Sequence, residues 1–391
     1  MAAPPIYLDH AATTPVLPEV RDAMDPYLRG DAFGNPSSPH QVGRAARAAL
    51  DEARYQLGRT LGADPASVVF TSGGTEADNL AVLGRALAVR DAGGPFRVAV
   101  SAIEHKAVIA AARVVASLGG EMIELPVDSR GMLDRDALTT ALDRGVALVS
   151  VMWVNNEIGV VQDVAAIAER CAAAGVTFHT DAVQALGKVP VEVSSLGPII
   201  LTVSAHKIGG PKGVGALLVQ GSDAIAPLLH GGGQQGGVRP GTENVPGIVG
   251  FGRAAELAAE RLEATSSHTR SLRESFEDRL CRAIPDVRIN GADGPRAPHI
   301  CNVAIPGTDS EAMLMHLDLA GICCSSGSAC TTGTVEPSHV LTAIGMPPDL
   351  GRASLRFSFG HGNSVDEIDR VMDALPAIVA RVRSLGEVLR R

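Results

Sequence analysis

Two observations predict an α/β protein built on a mainly parallel sheet. Short apolar runs of strand length alternate with segments of helical period from about Val68 to Val219, and glycine- or hydroxyl-rich turns punctuate the joins. At 391 residues the chain is also long for one domain, which predicts a large domain and a smaller one.

The elements follow in order. Val68-Val69-Phe70-Thr71, Arg97-Val98-Ala99-Val100, Glu121-Met122-Ile123-Glu124-Leu125 and Ala147 to Met152 are apolar runs of strand length. Between them, Glu76 to Ala88 and His105 to Leu118 carry apolar residues on helical spacing. Gly175 to Thr180 and Pro198 to Val203 continue the strand series. After the glycine-rich turn Gly231 to Gly237, the stretch from about Val249 to Ala283 is rich in Ala, Leu, Glu and Arg and nearly free of breakers. It reads as one long helix leading into the second domain. There, His299 to Ile305 and Ser354 to Phe359 are strand-like and bracket helices and a loop around Cys330.

Composition narrows the function. Hydrophobic residues make up 46% and charged residues 20%, which is globular, while one Trp, three Tyr and eight Phe leave the interior to aliphatic side chains. A net charge of −9 with a pI near 5.7 argues against a nucleic-acid footprint. No apolar run approaches the ~20 residues that span a bilayer, and Met1-Ala2-Ala3-Pro4-Pro5 lacks the regions of a signal peptide, so a cytoplasmic protein is expected. The six cysteines form neither a disulfide framework nor a zinc pattern, so no metal is expected and most should be small buried hydrophobes. Cys330 differs. It sits in Ser325-Ser326-Gly327-Ser328-Ala329-Cys330-Thr331-Thr332-Gly333, which has no large apolar side chain to pin it, so an exposed thiol is expected.

The chemistry concentrates at strand ends. Ser204-Ala205-His206-Lys207 closes one strand-like run and is followed by Gly209-Gly210-Pro211-Lys212-Gly213, which delivers a lysine into a glycine-rich turn beside hydroxyl and imidazole donors. Such a lysine suits a Schiff base to pyridoxal phosphate. A lone lysine after a strand is ordinarily a surface residue; Asp181, closing the run before it, changes the balance, because an acid and a lysine at neighbouring strand ends can hold the two ends of one cofactor. Ser72-Gly73-Gly74-Thr75-Glu76 opens a helix after a strand and offers backbone N–H groups to a phosphate, or simply an N-cap. His105 could stack on a planar ring or cap its helix locally. Asn155-Asn156 could offer amides to a ligand or form a turn. Arg356, on a late strand, has the fork that clamps a carboxylate or makes an ordinary salt bridge.

Taken together, the chain resembles the cysteine desulfurases of the iron-sulfur-assembly and nitrogen-fixation class, on the fold-type I pattern of pyridoxal-phosphate enzymes. The resemblance runs in family order from Tyr7-Leu8-Asp9-His10-Ala11-Ala12-Thr13-Thr14-Pro15 and Phe33-Gly34-Asn35-Pro36-Ser37-Ser38 through Thr71 to Glu76, Asn155 to Gly159, Asp181-Ala182-Val183-Gln184, Ser204 to Lys207, Arg239-Pro240-Gly241-Thr242 and Ser325 to Cys330, to Arg356-Phe357-Ser358. It implies a large cofactor domain over 14–258 with a mainly parallel seven-stranded sheet. A smaller α+β domain would comprise 1–13 and 259–391 and carry the Cys330 loop at about 322–334. Lys207 would form the Schiff base, Asp181 would pair with the pyridine nitrogen, His105 would stack on the ring and assist Cys330, and Gln184 and Asn156 would reach ring and substrate. Gly74, Thr75, Ser204 and His206 would hold phosphate, with Thr242 arriving from a second subunit of a homodimer. Arg356, Asn156 and Asn35 would bind L-cysteine. Cys330 would take the sulfur as a persulfide, releasing L-alanine, and pass it to a sulfur-acceptor protein; in a partner complex it could also ligate a cluster. The chain closes at Arg391, short of the tail on which housekeeping members dock a scaffold. Two other readings stay open: an aminotransferase or selenocysteine lyase on the same fold, and a non-enzymatic metal or sulfur carrier built on Cys323, Cys324 and Cys330.

Overall fold

A computed structural model describes residues 4–326 and 337–389. Twelve strands occur among them: β1 (Ile6–Tyr7), β2 (Val68–Thr71), β3 (Arg97–Ser101), β4 (Glu121–Leu125), β5 (Leu148–Ser150), β6 (Thr177–Asp181), β7 (Ile199–Ser204), β8 (Gly215–Gln220), β9 (Arg288–Ile289), β10 (Ile300–Ala304), β11 (Ile322–Cys323) and β12 (Ser354–Ser358). Seven of these form the expected central sheet in the order β2-β8-β7-β6-β5-β3-β4. The five strands from β7 to β4 are parallel, and β8 alone runs against both its neighbours. Parallel strands bury both faces, which is why β5, β6 and β7 are buried at every position.

The sheet packs between two aliphatic clusters. One gathers Leu50, Phe178, Leu201 and Phe251, the other Val98, Val108, Leu148 and Leu217. A further cluster joins Ile6 and Leu8 to Leu272, Phe276, Phe357 and Leu375 around the antiparallel trio β12-β10-β9. Parallel pairing of β1 with β11, Ile6 against Ile322 and Tyr7 against Cys323, brings the N-terminal segment to the foot of the Cys330 loop. Cys330 itself lies outside the described residues.

Three expectations change. The long helix is two helices, Val245–Glu260 and Leu262–Ala283, separated at Arg261, where ψ is 4° and the guanidinium donates to Glu19 at 2.6 Å. The run from Glu76 is helical but contains a π-helical turn over Leu80–Gly84. Only Cys171 and Cys301 of the five described cysteines are buried; Cys323 and Cys324 are half-buried, and Cys281 is exposed. No helix among the described residues is long and apolar enough to cross a membrane.

Candidate active site

Because β3, β5, β6 and β7 are parallel, their C-terminal ends share one edge of the sheet, where open α/β sheets bind ligands. A cavity of ≈ 410 Å³ opens there. Asp181 is the last residue of β6 and Ser204 the last of β7, and the register sets Asp181 opposite Thr202. Lys207 follows one turn later in a short 3-10 helix, Ala205–Lys207. The chain leaves through Gly209, at φ +80°, where a side chain would also strike Leu17 at 2.5 Å, so glycine is required.

The lysine is held by the N-terminal segment. Its Nζ donates to the carbonyl of Ala11 at 2.6 Å and of Ala12 at 2.8 Å. Burial, then the nearby Arg356 charge, pull its amine down to about 8, against the opposing influence of Asp181 and Asp9. Asp181 accepts from the Val183 N–H at 2.8 Å; burial raises its carboxyl, while His105, that N–H and Lys207 oppose the rise. Three imidazoles line the cavity, those of His105, His206 and His339. His105 caps the helix Lys106–Ser117 by accepting from the Ala107 N–H, so the local capping reading holds alongside its place on the cavity wall. His206, beside Lys207, shares a hydrogen bond with Thr13 at 3.2 Å and is driven down to about 4, chiefly by burial.

The opposite wall is built from the turn after β2. Gly74 opens a helix directly against Val183 and Ser204; a Cβ at 74 would stand 3.1 Å from Val183 Cγ2 and 3.7 Å from Ser204 Cβ. Thr75 lines the same corner, and the buried Ser204 Oγ has no partner among the described residues. Glu76, behind them, accepts from Ser72 N–H at 2.7 Å and pairs with Arg239 at 2.8 Å, so the segment carrying Thr242 is tied to the back of this corner. Arg356, from β12, crosses over to donate to the carbonyl of Asn156 and to Asp9, both at 2.8 Å, and its Nε has no partner among the described residues. Gln184 donates to the Ala11 carbonyl at 2.7 Å and meets the buried His299 at 3.4 Å.

Ten of the anticipated residues, Gly74, Thr75, His105, Asn156, Asp181, Gln184, Ser204, His206, Lys207 and Arg356, therefore share one cavity. Asn35 and Thr242 are exposed and are not part of its wall; Asn35 instead accepts from Ser37 N–H in its own turn. Asp78, Glu157 and His339 line the cavity unanticipated. Asp78 is four residues beyond Gly74 on one helical face, a spacing that could have pointed to it; His339 arrives from a distant segment with no local sign.

Known proteins similar to this chain point to one family. Residues 6–371 match the family model described as Aminotransferase class-V. A protein named "Cysteine desulfurase" from Cereibacter sphaeroides is 45% identical over 385 residues, covering 97% of each chain. Among solved structures, a NifS-like protein from Rickettsia africae ESF-5 superposes with a TM-score of 0.86 at 33% identity, covering 96% of this chain and 99% of that one. The structure described as "SspA in complex with cysteine" does so with a TM-score of 0.78 at 33% identity, over 91% and 99% of the two chains. Matched over residues 6–371, the chain is an enzyme of the class-V aminotransferase family. Within it, the chain belongs to the cysteine desulfurases.

Proposed function

We propose that the protein is a pyridoxal-phosphate-dependent cysteine desulfurase that converts L-cysteine to L-alanine and takes the sulfur as a persulfide on Cys330. The observation that carries this reading is the meeting in one cavity of a half-buried lysine whose amine sits near 8, the carboxyl of Asp181, and an unpartnered Ser204 hydroxyl beside the Gly74 turn. The residues fit the cofactor, since a side chain at 74 would fill the corner that a phosphate needs, and the orphaned Ser204 Oγ requires an acceptor or donor there. Bound here, the cofactor would supply an electron sink for the carbanion at the substrate's Cα.

The chain's own residues supply the rest. Asp181, with its Val183 N–H, holds negative charge for a pyridine nitrogen, while His105 and Gln184 face the ring and its hydroxyl. Gly74, Thr75, Ser204 and His206 gather phosphate, joined by Thr242 of the partner subunit in a homodimer. Thr242 is exposed on its own chain, which leaves it free to reach across. The unpartnered Arg356 Nε offers a charged donor to a substrate carboxylate, with Asn156 alongside and Asn35 brought in by assembly. An amine near 8 is partly neutral at physiological pH, so Lys207 Nζ can take the Cα proton and return it. Cys330, as a thiolate with His105 as its base, attacks the substrate sulfur. An S–S bond forms as the Cβ–S bond breaks, the bonding pair stays on carbon, Cβ takes a proton, and alanine leaves. A thiolate on an acceptor protein then removes the outer sulfur and restores Cys330, a cytoplasmic transfer that suits iron-sulfur assembly or tRNA thiolation.

The test is Cys330→Ser. It should bind cysteine and give its spectral change, with persulfide and alanine formation lost. Normal alanine release, or persulfide recovered on Cys323 or Cys324, would overturn the reading.

A further inference from the structure

Among the described residues, Gln235 is the one residue other than glycine with a positive φ, at φ 48° and ψ 42°. A side chain makes this left-handed conformation costly, and it persists only where the surroundings hold it. The cost is avoidable, because Gly233, Gly236 and Gly237 surround the position and another glycine would take the same turn freely. A glutamine at this point is there for its side chain.

That side chain joins three elements. Gln235 is 9% exposed, and its Oε1 accepts from the Phe70 N–H and from Arg54 Nη2, both at 3.0 Å. β2 is the edge strand of the large sheet, so the outward N–H and C=O groups along it lack a strand partner. Arg54 donates to the Val68 carbonyl and lies over the Phe70 ring, its Cζ 5.1 Å from the centroid, while Gln235 takes the Phe70 N–H. At the far end of the same amide, Nε2 donates to Glu243 Oε1 at 3.3 Å. Glu243 follows Thr242 directly. Six of the eleven residues from 231 to 241 are glycine, so this strap has little stiffness of its own. Two further ties hold its approach to Thr242: Gln234 Oε1 accepts from the Gly241 N–H at 3.0 Å, and Arg239 pairs with Glu76 at 2.8 Å.

We propose that Gln235 is a positioning residue for Thr242, pinning the glycine-rich strap to the edge of β2 so that Thr242 is presented in a fixed place to the cofactor phosphate of the partner subunit. The proposal rests on the reading of Thr242 as a phosphate ligand across a homodimer. It also gives the lesion a direction: loss of Gln235 from one chain damages the other chain's site and spares its own.

The experiments use the full chain. Gln235→Ala removes three hydrogen bonds and should weaken pyridoxal phosphate binding about tenfold in a fluorescence titration, the loss expected when one donor to a charged group is misplaced. In a Thr242→Ala background the same substitution should cost nothing further, because the group it positions is gone. Exchanging the pair, Gln235→Glu with Glu243→Gln, keeps an acceptor for Phe70 and Arg54 and a hydrogen bond between positions 235 and 243, and should restore affinity. Hydrogen exchange over residues 239–244 should quicken in Gln235→Ala and return to the wild-type rate in the exchanged pair. Mixing Gln235→Ala with Lys207→Ala chains reads the direction. One site of the heterodimer has its own Lys207 and receives Thr242 on an intact strap, so activity at limiting pyridoxal phosphate should rise above both parents. Full affinity in Gln235→Ala, losses that add to those of Thr242→Ala, or no recovery in this mixture would overturn the proposal. If Thr242→Ala chains mixed with Lys207→Ala recover and Gln235→Ala chains do not, this inference alone fails; if neither recovers, the reading of Thr242 fails and takes the inference with it. Should Gln235→Ala not fold, Gln235→Gly removes the same bonds without the backbone cost and takes its place.

Discussion

Removing the Lys207 amine should stabilise the cofactor-free protein at neutral pH, and the gain should vanish as pH rises. The folded state draws this amine from an ordinary 10.5 to about 8, with burial as the main cause. At ~1.4 kcal/mol per pKa unit, that difference amounts to about 3 kcal/mol. The sign follows from where the proton sits. Below about 8 both folded and unfolded chains hold it, and the folded state bears the whole penalty. Between about 8 and 10.5 only the unfolded chain holds it, so wild-type stability climbs with pH across that window. Lys207→Met keeps the aliphatic stem and removes the charge. Urea unfolding of cofactor-free wild type and variant from pH 7 to 10 should show the variant ahead by up to about 3 kcal/mol at pH 7, with the gap closing upward. Part of the gap is offset by the lost bonds to the Ala11 and Ala12 carbonyls, at about 1 kcal/mol apiece. Curves that stay parallel across the range would refute the idea that burial depresses this amine.

Two further outcomes are expected. Gly74→Val should weaken pyridoxal phosphate binding by at least about tenfold in a fluorescence titration, since its side chain would enter the corner between Val183 and Ser204; unchanged affinity would move the phosphate elsewhere. Mixing Lys207→Ala with Thr242→Ala chains should restore activity above both parents, because a heterodimer carries one site with neither lesion. A fully active Thr242→Ala homodimer, or a monomeric active species on sedimentation, would remove Thr242 from the site.

The parts of this site legible in the sequence are those made locally. A strand that ends in Asp181, one that ends in Ser204 and turns into Lys207, and a Gly74-Thr75 turn all advertise themselves because neighbours along the chain set their backbone. Arg356 could be placed on a strand but not paired, since Asp9 lies 347 residues away. Asp78 and Glu104 look like ordinary helix-start acids; nothing in their immediate sequence says that both are buried. The break at Arg261 was equally hidden, because no Gly or Pro marks it and the ion pair with Glu19 found there reaches another element. Even the direction of β8 depends on a pairing that alternation cannot express: Gly215 opposes Thr71 and leaves room for the Gly73 backbone, which a Cβ would meet at 2.6 Å.

The stretch from Ile6 to Thr14 has a practical consequence for anyone handling the protein. It pairs with β11 at the root of the Cys330 loop, lends Asp9 to Arg356, presents the carbonyls of Ala11 and Ala12 to Lys207, and lends Thr14 to the Gly209 turn. Few residues make so many of these contacts, and they fall within residues 6–14. Affinity tags, fusion partners or surface tethers placed ahead of Ile6 would pull on the lysine and the loop root together, whereas the helix Val365–Leu389 at the other end makes none of these contacts and is the safer handle.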